Sequence, residues 1–200
     1  ATLDHLEAVA QLYRQRIAQL NAQLRADLGL SWDPLIADGG VDQIYVVGPD
    51  RKTPSLADRA RVTAAAVALI NNDPAVAEAF DSNVLLTMAA APADASPEEL
   101  SVAERLRRSV YPGRVGDIVV AFKPNRVPAT AGATYVSTHG SPWDYDRRVP
   151  ILFWWKGATG EDRKEPIETV DIAPSLAAIA HVPAPEVDGK CLQAVAGSCQ

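Results

Sequence analysis

The sequence predicts an α/β fold with helices on both faces of one sheet, and three observations carry that prediction. Helix-period segments alternate with strand-like segments along the whole chain. The strand-like run Asp117 to Phe122 (DIVVAF) is apolar almost throughout, as in a strand covered on both faces. Two hundred residues, 48% hydrophobic and 22% charged, suffice for one sizeable core. The expectation is a single α/β/α layered unit over residues 1–200.

The elements follow in order. Leu6, Val9, Tyr13, Ile17, Leu20 and Leu24 recur at spacings of three and four, and Gly29 follows as a stop, so the chain opens with a packing helix. A strand is expected over Ile44 to Val47, after the turn-like Asp38-Gly39-Gly40. Thr53-Pro54 then caps an alanine-rich helix ending near Asn71-Asn72, and Asp73-Pro74 starts a shorter helix to Phe80. Val84 to Thr87 reads as a second strand. Ser96-Pro97-Glu98-Glu99 reads as a capping box launching a helix to about Val110. Beyond the DIVVAF strand and a Pro/Ala/Gly-rich loop (Pro124 to Gly132) come a strand near Tyr135-Val136, a strand from Val149 to Trp155, and a helix from about Asp171 to Ala180.

Composition excludes several classes of function. A net charge of -6 without a basic, aromatic-interleaved block disfavours nucleic acid as a partner. No apolar run reaches the roughly 18 residues of a membrane span, and Ala1 opens into a polar, helix-like pattern instead of a signal sequence, as in a chain that is processed or cut. Cys191 and Cys199, the only cysteines, suit one local disulfide in an exported protein, with two unpaired tail thiols as the alternative. The phosphate-binding Gly-x-x-x-x-Gly-Lys loop, the Gly-x-Ser-x-Gly elbow, Cys-x-x-Cys and His-Glu-x-x-His are all absent.

Three histidines remain to be explained. His5 stands in the first turn of a helix beside Asp4, and His181 ends the last helix, where an imidazolium complements the negative pole; both read as structural. His139 sits instead in Ser137-Thr138-His139-Gly140-Ser141-Pro142, a constrained loop after a strand, and ligand crevices of α/β sheets lie beyond strand ends. A neutral imidazole there is a ready zinc ligand, with Asp144 and Asp146 near enough to orient its second nitrogen. A loop histidine bonded to backbone is the alternative. Arg147 and Arg148 read as an ion-pair surface in preference to phosphate donors, Trp143, Trp154 and Trp155 as core or crevice wall, and Asp171 as a helix N-cap.

Two longer stretches bear on that choice. THGSPWDYDRRVPILFWWKG, followed by EPIETVDIAPSLAAIAHVPAPEVDGKCL, resembles the C-terminal segment of the alkaline phosphatase superfamily, in particular the periplasmic alkaline phosphatases related to nucleotide pyrophosphatase/phosphodiesterases. That segment has a His-Gly-Ser loop, an aromatic-Asp pair, a Val-Pro-apolar strand, a Thr-x-Asp-Ile-Ala-Pro-Thr-Leu helix and a closing Asp-Gly-x-x-Leu. Ser175 stands here where the family often has Thr. The resemblance is closest over Gly116 to Leu192.

The resemblance implies an alkaline phosphatase-like fold of which this chain is an incomplete, C-terminal portion. It implies a periplasmic or secreted hydrolase of phosphate monoesters, or of diesters as the nearer alternative, with two zinc ions activating a Thr or Ser nucleophile. His139 aligns with the last zinc-binding histidine, with Thr138, Ser141 and Asp146 as candidates for supporting it. The nucleophile and the other ligands, an early Asp, an Asp-x-x-x-His segment and an Asp-His-Gly segment, belong upstream. Asp4-His5 is not the last of these, because Leu6 stands where glycine is needed. No catalytic residue is therefore expected in this chain, and its partners are a phosphate ester and the remainder of the parent enzyme. A noncatalytic binding or assembly module with the same fold is the alternative from another class.

Overall fold

The computed structural model describes residues 3–37, 42–92, 95–126, 139–157, 159–184 and 186–199, with residues 3–15 as backbone helix only. The chain divides into two compact units, residues 1–147 and 148–200.

In the first unit, helix α1 (Leu3–Leu28) ends at Gly29, whose φ of +65° is the left-handed conformation glycine adopts without a Cβ clash. Then come β1 (Leu35–Ile36), β2 (Gln43–Val46), α2 (Leu56–Ile70), β3 (Val76–Asp81), α3 (Ser82–Thr87), α4 (Val102–Arg107), β4 (Ile118–Phe122) and the short α5 (Asp144–Arg147). The four strands form one sheet in the order β1-β2-β4-β3, and every pairing is antiparallel.

The alternation of side chains along β4 explains its apolar run. Ile118 and Val120 face a core with Leu24 of α1 and Val62, Ala66 and Ile70 of α2. Val119 and Ala121 pack on the other face against Leu85 of α3 and Leu106 of α4. Helices thus lie on both faces of the sheet, the α/β/α layering the sequence predicts.

Buried polar groups fix the layers in register. The Asn21 side chain accepts from the Leu35 N–H (2.8 Å) and donates to the Leu35 carbonyl (3.0 Å), pinning α1 to β1. Asn71, just past α2, brackets Ala79 of β3 in the same way at 2.8 and 3.1 Å. Asp117, at the head of β4, accepts the Val46 N–H at 2.7 Å and pairs with Arg59 of α2 at 3.0 Å. Gly116 precedes it because a Cβ there would stand 2.9 Å from the Ile44 carbonyl oxygen.

Among the described residues of this unit, Glu104 is the buried carboxylate. It lies in α4 and takes hydrogen bonds from Arg107 at 3.0 and 3.2 Å and from Arg108 at 3.4 Å. The Arg107 hydrogen bond is the largest cause of a carboxyl pKa below its ordinary 4.5; burial opposes it, while the Ala91 backbone, the Arg107 charge and Arg108 reinforce it. A lowered folded-state value means stability that is present above the ordinary value and lost as pH falls through the lowered one. As pH falls below the ordinary 4.5, Glu104→Gln should therefore flatten the acid limb of the unfolding profile. An unchanged slope in acid denaturation would show that Glu104 carries no such linkage.

In the second unit a 3-10 turn (Thr169–Asp171) feeds helix α6 (Ile172–Ile179), and α7 (Gln193–Ala196) lies within the loop closed by the Cys191–Cys199 disulfide. Asp171 is buried and accepts N–H bonds from Glu168 (2.9 Å) and Lys190 (2.7 Å). Ser175, fully buried, donates to the Asp171 carbonyl at 2.6 Å and accepts from the Leu192 N–H at 2.8 Å. The Asp-Ile-Ala-Pro helix and the Asp-Gly-x-x-Leu element are thus two halves of one hydrogen-bonded joint.

Several expectations are corrected. Residues after Asp73-Pro74 form strand β3, not a helix, because Val76–Asp81 has β4 as a partner. Val84 to Thr87 lies in helix α3, capped by the Asp81 side chain accepting from the Asn83 N–H. Helix α4 starts at Ser101, whose hydroxyl accepts from Glu104, and not at Ser96; α2 is likewise capped by Ser55 and not by Thr53-Pro54. Asp171 occupies the N-cap position of α6 but spends its carboxylate on the 3-10 turn and on Lys190. Val149 to Trp155 pairs with no described strand, and Trp154 and Trp155 are exposed, which removes the core half of the core-or-crevice-wall reading. The strand expected near Tyr135-Val136 lies outside the described residues.

Candidate functional site

The His139 loop is assembled from the end of β4 outward. Trp143 donates its indole N–H to the carbonyl of Phe122, the last residue of β4, at 2.8 Å. The Tyr145 hydroxyl accepts the N–H of Asn125 at 3.0 Å, just beyond the same strand. The loop therefore lies beyond the carboxyl end of β4, whereas the Tyr135-Val136 strand after which the sequence places it lies outside the described residues.

Two arginines hold the loop from the side. Arg105 of α4 donates to the Pro142 carbonyl (3.0 Å), and Arg147 of α5 to the Pro97 carbonyl (2.8 Å). Asp144 lies between them, 3.4 Å from Arg105 and 3.1 Å from Arg147. Arg147 is thereby committed to an ion pair and a backbone carbonyl, in keeping with the structural reading of it. Arg105 carries no local sequence signal for this task, because it reaches across 37 residues.

Within that frame, Asp146 accepts the N–H of Ser141 at 2.6 Å, which closes the backbone between His139 and α5 into a tight turn. Gly140 supplies the reversal, with φ of +100°, a region side-chain-bearing residues rarely occupy. His139 stands exposed at the start of this turn. The Ser141 hydroxyl is buried and has no hydrogen-bond partner among the described residues. Thr138 lies outside the described residues, and Asp146 acts on the backbone of Ser141.

An exposed imidazole on a pinned glycine turn, with an unpartnered hydroxyl two residues away, fits one ligand of a metal. It does not make a site alone: among the described residues, no three His, Cys, Asp or Glu side chains gather where they could hold an ion. No helix among the described residues is long and apolar enough to cross a membrane. His181, with φ of +53°, follows the C-cap of α6 in the second unit and is exposed.

No family model matches the sequence. Among curated proteins, the chain is 41% identical over 184 residues to the alkaline phosphatase PhoK of a Sphingomonas species, an alignment covering 89% of the chain and 32% of that protein. It is 46% identical over 136 residues to the alkaline phosphatase PhoD of Zymomonas mobilis, covering 67% of the chain and 23% of the relative. The chain thus spans about a third or less of the length of these relatives. Among solved structures, the crystal structure of the alkaline phosphatase PafA superposes with a TM-score of 0.70 at 23% identity, covering 92% of this chain and 33% of that one. A mutant form of PafA superposes with a TM-score of 0.66. The fold is therefore alkaline phosphatase-like, and over the residues these alignments span the chain belongs to the alkaline phosphatase superfamily.

Proposed function

We propose that this chain is the C-terminal portion of a periplasmic or secreted, zinc-dependent phosphate monoester hydrolase, and that His139 is its contribution to the metal centre. The observation that carries the reading is the 41% identity over 184 residues to a protein named alkaline phosphatase. The exposed His139 turn beyond β4 supports it from the structural side. The local disulfide suits an exported protein.

Zinc at such a centre lowers the pKa of a bound nucleophile and stabilises charge on the transferring phosphoryl group. The chain's own residues prepare its position. Trp143 and Arg105 hold the loop on the sheet and on α4, and Asp146 and Gly140 set the turn. His139 offers a ring nitrogen as one ligand. The nucleophilic hydroxyl and the remaining ligands come from the upstream part of the enzyme.

The test is a hybrid of the Sphingomonas enzyme carrying this chain in place of its own 184 aligned residues. The hybrid should hydrolyse p-nitrophenyl phosphate, lose that activity to a chelator and regain it with zinc. Bis(p-nitrophenyl) phosphate should be the poorer substrate; if it is the better one, the diesterase reading replaces this one. A folded hybrid that hydrolyses neither ester would leave the noncatalytic module as the function.

A further inference from the structure

One carboxylate oxygen beside the His139 loop serves two arginines. Asp144 Oδ1 lies 3.4 Å from Arg105 Nη1 and 3.1 Å from Arg147 Nη2. The same two nitrogens make backbone ties. Arg105 Nη1 donates to the Pro142 carbonyl at 3.0 Å, and Arg147 Nη2 donates to the Pro97 carbonyl at 2.8 Å. Arg105 adds a bond from Nη2 to the Glu98 carbonyl at 3.2 Å. The two ties run in opposite directions: Arg105 reaches from α4 to the loop, and Arg147 from α5 back to the segment before α4. Asp144 stands where they cross.

Without that carboxylate, two guanidiniums would face each other with side chains only 13% and 21% exposed, where water and salt screen their repulsion weakly. The Nε of each is buried without a hydrogen-bond partner among the described residues, so it adds no anchor. The arginines would part, and the Pro142 carbonyl would lose its tie to Arg105. The path from there to His139 is short and stiff. Proline fixes φ at position 142, and Asp146 holds the Ser141 N–H at 2.6 Å, so Gly140 is the one soft joint between. We propose that Asp144 is a positioning residue for the metal centre, setting through Arg105 and Arg147 where His139 presents its ring. The proposal rests on the reading of His139 as a zinc ligand. A carboxylate that serves only the stability of the first unit would have no particular coupling to His139, and that difference separates the two roles.

The test is a double-mutant cycle in the Sphingomonas hybrid, read as zinc affinity by competition with a chromogenic chelator, with folding followed by the thermal unfolding midpoint. Asp144→Ala should weaken zinc binding about tenfold, the lower end of the roughly 10–100-fold effect of groups that orient a metal ligand. Asp144→Asn keeps an oxygen for both nitrogens and should lose less. In a hybrid already carrying His139→Ala, either change should leave zinc affinity within about twofold of the His139→Ala value. Unchanged affinity in a folded Asp144→Ala hybrid would overturn the proposal, and so would a loss of the same size in the His139→Ala background. Should the alanine variant not fold, Asp144→Asn carries the same comparison. The underlying reading fails separately: zinc affinity that His139→Ala alone does not change would remove His139 from the metal centre, and the role of Asp144 with it.

Discussion

His139→Ala in the Sphingomonas hybrid is expected to lower kcat/KM for p-nitrophenyl phosphate by more than about a hundredfold. The magnitude follows from coordination: residues that merely orient a zinc ligand already cost about 10–100-fold, and a catalytic zinc normally has only about three protein ligands to lose. The loss should fall mainly on kcat, because the chemistry is what the metal supports. The thermal unfolding midpoint should stay close to the parent's, since the imidazole is exposed and the loop is held by Trp143, Arg105 and Asp146. A variant that retains full activity at low zinc concentration would remove His139 from the site.

Gly189→Ala should be the most damaging single change to the second unit. A Cβ at residue 189 would fall well inside contact distance of the Val170 carbonyl, and the obstacle is backbone, which cannot swing aside. The chain from 189 to 192 would have to lift, breaking the Lys190 N–H bond to Asp171 and the Leu192 N–H bond to Ser175. Losing two such bonds, one to a buried carboxylate, costs on the order of 3–5 kcal/mol. The change should be read in the hybrid as fast exchange at the Lys190 and Leu192 amides. Gly160→Ala is the control: nothing lies near a Cβ there, so exchange at those two amides should not move. Equal protection in both variants would refute the joint between the Asp-Ile-Ala-Pro helix and the Asp-Gly-x-x-Leu element.

That joint also shows where the sequence is legible. Its two halves are visible as motifs, but that Asp171 and Ser175 hold Lys190 and Leu192 depends on a contact across 17 to 19 residues that no local pattern encodes. The DIVVAF strand reads correctly because burial on both faces writes itself into composition. The amphipathic spacing of α1 and its glycine stop read correctly for the same local reason. The sequence reading starts α4 at Ser96-x-x-Glu99, but Ser101-x-x-Glu104 offers a second such pattern five residues on. The second prevails, and it carries Glu104 into a buried cluster with Arg107 and Arg108. Residues 76–81, alanine-containing and preceded by Asp-Pro, carry a helix-like local signal, and the β4 edge and Asn71 override it.

At the candidate site, the sequence exposed His139 and its glycine but not the frame. Arg105, 34 residues earlier in the chain, and the Trp143 bond to Phe122 become visible only once α4 and β4 are side by side. Asp144 pairs with both Arg105 and Arg147, and its link to Arg105 is one that no local pattern announces. Residues 149–155 show the converse. Their strand signal is strong, and the described chain gives it no partner.

The most direct test of the account is anomalous diffraction at the zinc absorption edge from crystals of the hybrid grown with zinc. With His139 as a ligand, a zinc peak is expected about 2.0–2.1 Å from one of its ring nitrogens, with the other ligands drawn from outside residues 1–200. Zinc bound elsewhere, with the His139 ring outside bonding distance, would contradict it.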